Sequence, residues 1–305
     1  MNKVVYALLT VLLVQTDLTN FDKFNNFLKE GKLNEAKVVI DNWGEQKEKD
    51  PQYYISCFNY YINKSMTQGY AIQSNPPTDE RMITLILKDP TTGNIKGYMV
   101  KKVVYDTSTA DTGINYIKTG IKIFPDHYEM RFGLLWALKE LDKYDDYIVE
   151  LEDSLKYFKD QKLTSIYWND NKKIDDPYRF IIEILQEMLN EFIENDEIYS
   201  NKEFLNKFVD MMIKYFPSHK YGYANKGFLY FEKGEFDKAL EYYMKAYEID
   251  NKDLLVMFNI GLSYKRLGKH GDAISYFEKI IKIGGNTYFV DKAKNELNDF
   301  QIQKH

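Results

Sequence analysis

KYGYANKGFLYFEKGEFDKALEYYMKAYEIDNKD, residues 220–253, is followed directly by LLVMFNIGLSYKRLGKHGDAISYFEKIIKIGGNT, residues 254–287. The two stretches carry small and aromatic residues in the same order at an offset of 34. Gly227 corresponds to Gly261, Tyr230 to Tyr264, Gly234 to Gly268, Ala239 to Ala273 and Tyr243 to Phe277. Each stretch predicts a helix, a tight turn at KGEF or LGKH, and a second helix of similar length. A glycine and an alanine at fixed places on facing helices let the two backbones approach, with Ala239 and Ala273 leaving room for the rings of Tyr230 and Tyr264. These residues therefore read as packing.

The pattern resembles the tetratricopeptide repeat, a 34-residue helix–turn–helix unit. The first stretch matches it at Tyr223, Gly227, Tyr230, Ala239, Tyr243 and Ala246, with Asn251 where a closing proline is usual. The second departs further, with Met257, Ile280 and Gly285 at the first aromatic, last alanine and proline places. The resemblance implies an all-α fold, an α-α superhelix (a TPR-like solenoid), interrupted here by a small β-hairpin insertion.

Extending the period toward the amino terminus gives weaker units. Pro217 closes a degenerate unit over 186–219 with Leu205, Val209 and Met212 on its buried stripe, and Pro125 closes an earlier one that keeps Gly113 and Gly120. Residues 128–161 have the right hydrophobic spacing with Leu135 for glycine and Tyr147 for alanine, and residues 17–50 place Gly31 at the turn and Ala36 at the small position. The organisation expected is an apolar segment at 1–16, degenerate repeats over 17–161, a loop at 162–176, repeats over 177–287 and a capping helix at 288–305. Val290, Ala293, Leu297 and Phe300 would form that helix's inner face.

Two segments break the period. Residues 51–69 read as a first helix whose partner starts only near Asp106, and at about 82–105 two β-branched runs flank DPTTGN, a β-hairpin signal. Residues 162–176 read as an irregular loop leading to a long helix from Tyr178.

Composition fits a folded domain, with 44% apolar and 29% charged residues. A net charge of −5 and only four arginines, Arg81, Arg131, Arg179 and Arg266, argue against a nucleic-acid surface. The abundance of Lys, Asn, Ile and Tyr points to an AT-rich, bacterial coding genome. The run Val4–Val14 after Lys3 is apolar on every face and too short to span a bilayer, so it reads as a signal-peptide core with a buried capping helix as the alternative. That reading favours an exported, periplasmic or envelope location over a cytoplasmic one. With one cysteine, Cys57, no internal disulfide is possible, and a buried inert thiol is expected.

Catalytic spacings are missing. His127, His219, His270 and His305 are dispersed, with no metal-ligand spacing, and no phosphate-binding glycine loop or nucleophile elbow occurs. Clusters such as Asp142, Asp145, Asp146 and Glu150, Glu152, Asp153 fall on the outer side of second helices and read as solvated faces. The expectation is a protein without catalytic residues, cofactor or metal, a hydrolase being the least favoured alternative.

The resemblance implies where a ligand would sit. Family groove side chains come from positions 2, 5, 9 and 12 of each unit. Here those are Glu129, Phe132, Trp136 and Lys139; Tyr221, Ala224, Phe228 and Phe231; and Leu255, Phe258, Leu262 and Lys265. Such a trough would bind a protein or peptide segment through aromatic anchors. The alternative, that Phe132, Trp136, Phe228 and Phe258 bridge adjacent units, stays open. The family's carboxylate clamp is not matched: Asn225 and Asn259 are in place, but Ala224 and Phe228 stand where basic and amide groups belong. The function expected is an adaptor or scaffold, with an envelope assembly protein that binds through the hairpin as the alternative.

Overall fold

The computed structural model describes residues 18–44, 50–73, 76, 84–169, 171–285 and 287–302. Helix makes up 71% of the described residues, arranged as a TPR-like helical repeat with small antiparallel sheets. The chain divides into two compact units, Met1–Ala137 and Leu138–His305, each described by itself. The apolar run at 4–14 lies outside the described residues.

In the first unit α1 (Asn20–Lys29) and α2 (Leu33–Trp43) turn at Gly31, and α3 (Pro51–Ser65) packs on both. Thr19 and Asp22 form a reciprocal capping box that starts α1. Ala36 is fully buried, as its place in the repeat requires. The partner of α3 is α4 (Thr107–Ile123), started by Asp106, whose carboxylate accepts the Thr109 N–H at 2.8 Å. α4 lies so close to α3 and the next helix, α5 (Tyr128–Glu140), that a Cβ on Gly120 would meet both Tyr54 Cβ and Met130 Sδ at 2.7 Å. Cys57 is buried in α3, as expected.

Between α3 and α4 the structure corrects the sequence reading. The helix expected over 51–69 stops at Ser65, and the chain passes at once into β1 (Met66–Gln73). β2 (Thr84–Lys88) and β3 (Ile95–Tyr105) form the expected hairpin, but β3 is central in a three-stranded antiparallel sheet ordered β1-β3-β2. The hairpin turn is closed by Asp89, whose carboxylate accepts from the Thr91 and Thr92 backbone N–H groups and pairs with Lys96 at 2.7 Å. Hydrogen bonds from Lys96 and Thr91 hold that carboxyl well below the usual range. The sheet is spliced in at one point: Asp106 N–H donates to Ser65 O at 2.8 Å, so the chain leaves and rejoins the helix pair at adjacent positions.

The second unit holds α6 (Tyr144–Asp160), a short hairpin of β4 (Ile166–Trp168) and β5 (Lys172–Ile174), then α7 (Pro177–Glu194), α8 (Asp196–Ser200) and α9 (Lys202–Tyr215). The segment expected to be an irregular loop thus carries a small antiparallel pair, with Ile166 fully buried. Leu205, Val209 and Met212 are fully buried, as their stripe predicts. Two repeat pairs follow, α10 (Lys220–Glu232) with α11 (Phe236–Ile249) and α12 (Leu254–Arg266) with α13 (His270–Ile283), before the terminal α14 (Thr287–Ile302). The turns at Gly234 and Gly268 have φ of 76° and 72°, the left-handed conformation that a side chain resists.

The packing logic of these pairs differs in one respect from expectation. A Cβ on Gly227 would stand 2.6 Å from the Tyr243 ring, and one on Gly261 would stand 2.6 Å from Phe277. The glycines therefore make room for the aromatic of the second helix, sixteen residues on in both pairs. Tyr230, expected to fill the space beside Ala239, packs against the core cluster that contains Ala239 and also stacks on Tyr242 with centroids 5.4 Å apart. Ala293 and Phe300 of α14 are buried, with Val290 and Leu297 packed beside them, so α14 closes the apolar end of α13.

Candidate functional site

α10 presents Tyr221, Ala224, Phe228 and Phe231 at intervals of three and four, which puts them on one stripe. Its other side is committed: Gly222 abuts the α9 backbone, a Cβ there meeting Ile213 N at 2.9 Å, and Gly227 abuts Tyr243. The stripe itself is half-buried. Phe231 lies edge-on to Phe236 at 5.1 Å, and Tyr221 lies edge-on to His219 at 4.4 Å. His219 is the helix cap, its Nδ1 accepting the Tyr221 N–H at 3.4 Å. Burial, reinforced by Lys220, lowers its pKa and so favours the neutral ring that such a cap requires. Asn225, one residue from the stripe, is engaged by Gln186 of α7 at 2.7 Å.

On α12 the corresponding stripe is Leu255, Phe258, Leu262 and Lys265. Leu255 is 50% exposed and Leu262 half-buried. Phe258 is a correction to the expected groove wall, being only 8% exposed. Its ring packs on Phe277 of α13 at 5.5 Å and Phe289 of α14 at 6.1 Å, because the terminal helix covers that position and draws the ring into the core. Lys265, the basic group of this face, pairs with Glu296 of α14 at 2.5 Å and stands 3.5 Å from Asp299. The Glu296 hydrogen bond raises its pKa, and its ammonium lies 5.3 Å from the Phe300 ring. What remains on α10 and α12 is a surface of Tyr221, Phe228, Phe231, Leu255 and Leu262 whose one cation is already matched.

The face expected from residues 128–139 is different. Trp136 is exposed at 39%, but Phe132 is buried, its ring tilted onto Tyr128 at 6.4 Å, which corrects its assignment as a groove residue. Glu129 is also nearly enclosed, with His127 Nδ1 3.5 Å from its carboxylate. Lys139, in the second unit, sits 3.3 Å from Glu140 and 3.6 Å from Glu191. Here α5 uses its first two groove positions for its own packing, so the stripe rule that serves α10 misplaces them.

The structure adds one concavity that repeat spacing did not point to. A recess of about 730 Å³ in the first unit is walled by Tyr53, Tyr54 and Tyr116 with Thr112, Asn115, Thr119 and Ile123. Thr112, Asn115, Thr119 and Ile123 recur on one stripe of α4, a half-polar pattern that could have marked it. Thr119 returns its hydroxyl to Asn115 O, so the wall is chiefly aromatic. Elsewhere Glu152, from an acidic cluster, is bound by Lys214 and lies 3.5 Å from the Tyr215 hydroxyl. Among the described residues no group of His, Cys, Asp and Glu is placed to hold a metal ion, and no helix is long and apolar enough to cross a membrane.

Residues 221–284 match the family described as tetratricopeptide repeat. The chain is 20% identical over 309 aligned residues to a TPR repeat-containing protein of Methanocaldococcus jannaschii, covering 93% of this chain and 52% of the relative. It thus spans about half the length of the curated relative it matches. Among solved structures, it resembles the MamA protein at 24% identity, covering 57% of this chain and 81% of that one, with a TM-score of 0.34. It also resembles YrrB, described as a TPR protein with an unusual peptide-binding site, at 11% identity over 62% of this chain and 85% of that one, TM-score 0.37. These similarities lend no support to a signal peptide or to a bacterial source.

Proposed function

We propose that this chain, whose residues 221–284 match the tetratricopeptide-repeat family, is an adaptor without catalytic activity that holds a protein segment on the face of α10 and α12. Repeats of this kind typically mediate protein–protein or peptide binding. The observation that carries the reading is the partly exposed apolar surface of Tyr221, Phe228, Phe231, Leu255 and Leu262. With Lys265 matched by Glu296 and Asp299, this face is suited to an apolar or aromatic segment rather than to an acidic tail. Asn225, bonded to Gln186, is likewise withdrawn from a carboxylate clamp. The acidic net charge supports a protein partner over nucleic acid.

Immobilised full chain should retain a partner from its source proteome. Phe228→Ala combined with Phe231→Ala should weaken that capture by about tenfold or more, the scale of an aromatic anchor, while the helical spectrum is kept. Unchanged capture by a folded double variant would remove α10 from the binding face.

A further inference from the structure

The three-stranded sheet carries a surface that the helical repeats do not use. Directly paired residues share a face, and so do alternate residues along a strand. The register Ile72↔Met99↔Leu85, with Tyr70↔Lys101 and Gln68↔Val103, therefore gathers Tyr70, Ile72, Leu85, Met99 and Val103 on one side. Tyr70 and Ile72 are each 68% exposed, Leu85 58% and Val103 48%. Isolated exposed apolar residues are ordinary, but a contiguous set on one sheet face marks a contact surface.

The two edges of this sheet differ. β2 is five residues long, has a bulge between Leu87 and Lys88 and ends on a lysine, all devices that discourage pairing. β1 is eight residues long, MTQGYAIQ, with no charge and no proline, and among the described residues no strand lies on its outer side. Such an edge offers a row of backbone groups to an incoming strand.

Charge indicates what that strand contains. The strands and their turn, 66–73 and 84–105, hold Lys88, Lys96, Lys101 and Lys102 and a single acid, Asp89, which Lys96 occupies at 2.7 Å. This is a cationic patch in a chain of net charge −5. Lys101 lies on the same face as the exposed apolar residues, directly opposite Tyr70 of the edge strand. A second copy of this sheet would bring further lysines and, among the described residues of its strands and turn, no carboxylate but the Asp89 that Lys96 occupies, so it is a poor match.

We propose that the outer edge of β1 is a strand-addition site for an extended segment of a partner protein that carries apolar and acidic residues in turn along one face, at every second residue. The added strand continues the sheet and, on the face it shares with Tyr70 and Ile72, seats an apolar side chain beside Ile72 and places a carboxylate beside Tyr70, in the field of Lys101. This site is separate from the α10 and α12 face, and either can fail without the other.

The test uses the full chain with two fluorescent peptides, one repeating Val-Thr-Glu-Thr and one repeating Val-Thr-Lys-Thr, which put valine and the charged residue in turn on one face, read by anisotropy and by hydrogen exchange. The glutamate peptide should bind and slow exchange across residues 66–73, leaving α10 and α12 unchanged. Tyr70→Glu with Ile72→Glu should weaken it by about tenfold or more. Lys101→Glu, an exchange of charge with the edge intact, should lower its affinity and raise that of the lysine peptide. Equal binding of both peptides to the unaltered chain, or no protection of β1, overturns the proposal. So does β1 protection that depends on protein concentration alone, which would mean a second copy. Binding to vesicles containing phosphatidylserine with neither peptide bound would also overturn it in favour of a membrane surface.

Discussion

Replacing Tyr147 by alanine, the residue that the repeat pattern calls for at that position, should destabilise the second unit by about 3–5 kcal/mol. The prediction runs against a consensus argument, under which restoring the usual residue would stabilise. Tyr147 is fully buried, and its ring stands 5.7 Å from Phe192, 5.4 Å from Phe204 and 6.3 Å from Phe208. Those three rings also pack on one another, with Phe192 5.2 Å from Phe204 and 5.4 Å from Phe208. Removing the central ring leaves a cavity walled by rigid aromatics on two helices, α7 and α9, which cannot close simultaneously, and forfeits two edge-to-face contacts. Tyr147→Phe keeps the ring and gives up only a long contact from the hydroxyl to Met188 Sδ at 3.8 Å, so it should cost about 1 kcal/mol or less. Urea unfolding followed by helical ellipticity separates the two. An alanine variant as stable as the parent would show that the four-ring cluster is not the core of this unit.

The second large effect is the mirror image, a ring introduced where the pattern is obeyed. Ala239 is fully buried on the inner side of α11, within the cluster that includes Tyr243, Met257 and Phe277. Ala239→Trp adds an indole where close packing leaves no space, and should cost about 1–3 kcal/mol. The adjacent Lys238 has a side chain 59% exposed, paired with Glu235 at 2.5 Å on the surface. An ion pair that open contributes little, so Lys238→Trp should change stability by about 0.5 kcal/mol or less. Equal losses for the two tryptophans would mean that the assignment of buried and exposed faces on α11 is wrong.

The contrast between these two positions shows what was legible. At 220–287 the period could be read because close contacts constrain it at each recurrence: Tyr243 requires Gly227, Phe277 requires Gly261, and the left-handed turns require Gly234 and Gly268. At Tyr147 the same architectural place is held by a large ring, and its tolerance depends on Phe192, Phe204 and Phe208 arriving from helices far along the chain. Local spacing gave the stripe of α10 and its aromatics. It misplaced Phe258, whose burial is settled by Phe289 of the terminal helix, and Phe132, whose ring is buried against Tyr128 of its own helix. β1 was hidden for a related reason. MTQGYAIQ has no strict alternation to mark it as a strand and follows a strong helical segment without a break.

Repetition therefore determined the helical pairs, their turns and the small residues between them, because those are contacts made within a few tens of residues and renewed at each period. Only the tertiary structure decided that Met66–Gln73 leaves the helix to pair with β3, that α14 takes Lys265 and Phe258 out of the candidate face, and that a tyrosine serves where alanine is usual. Each of those outcomes depends on a partner distant in sequence, and no local pattern records the shape of the space such a partner leaves.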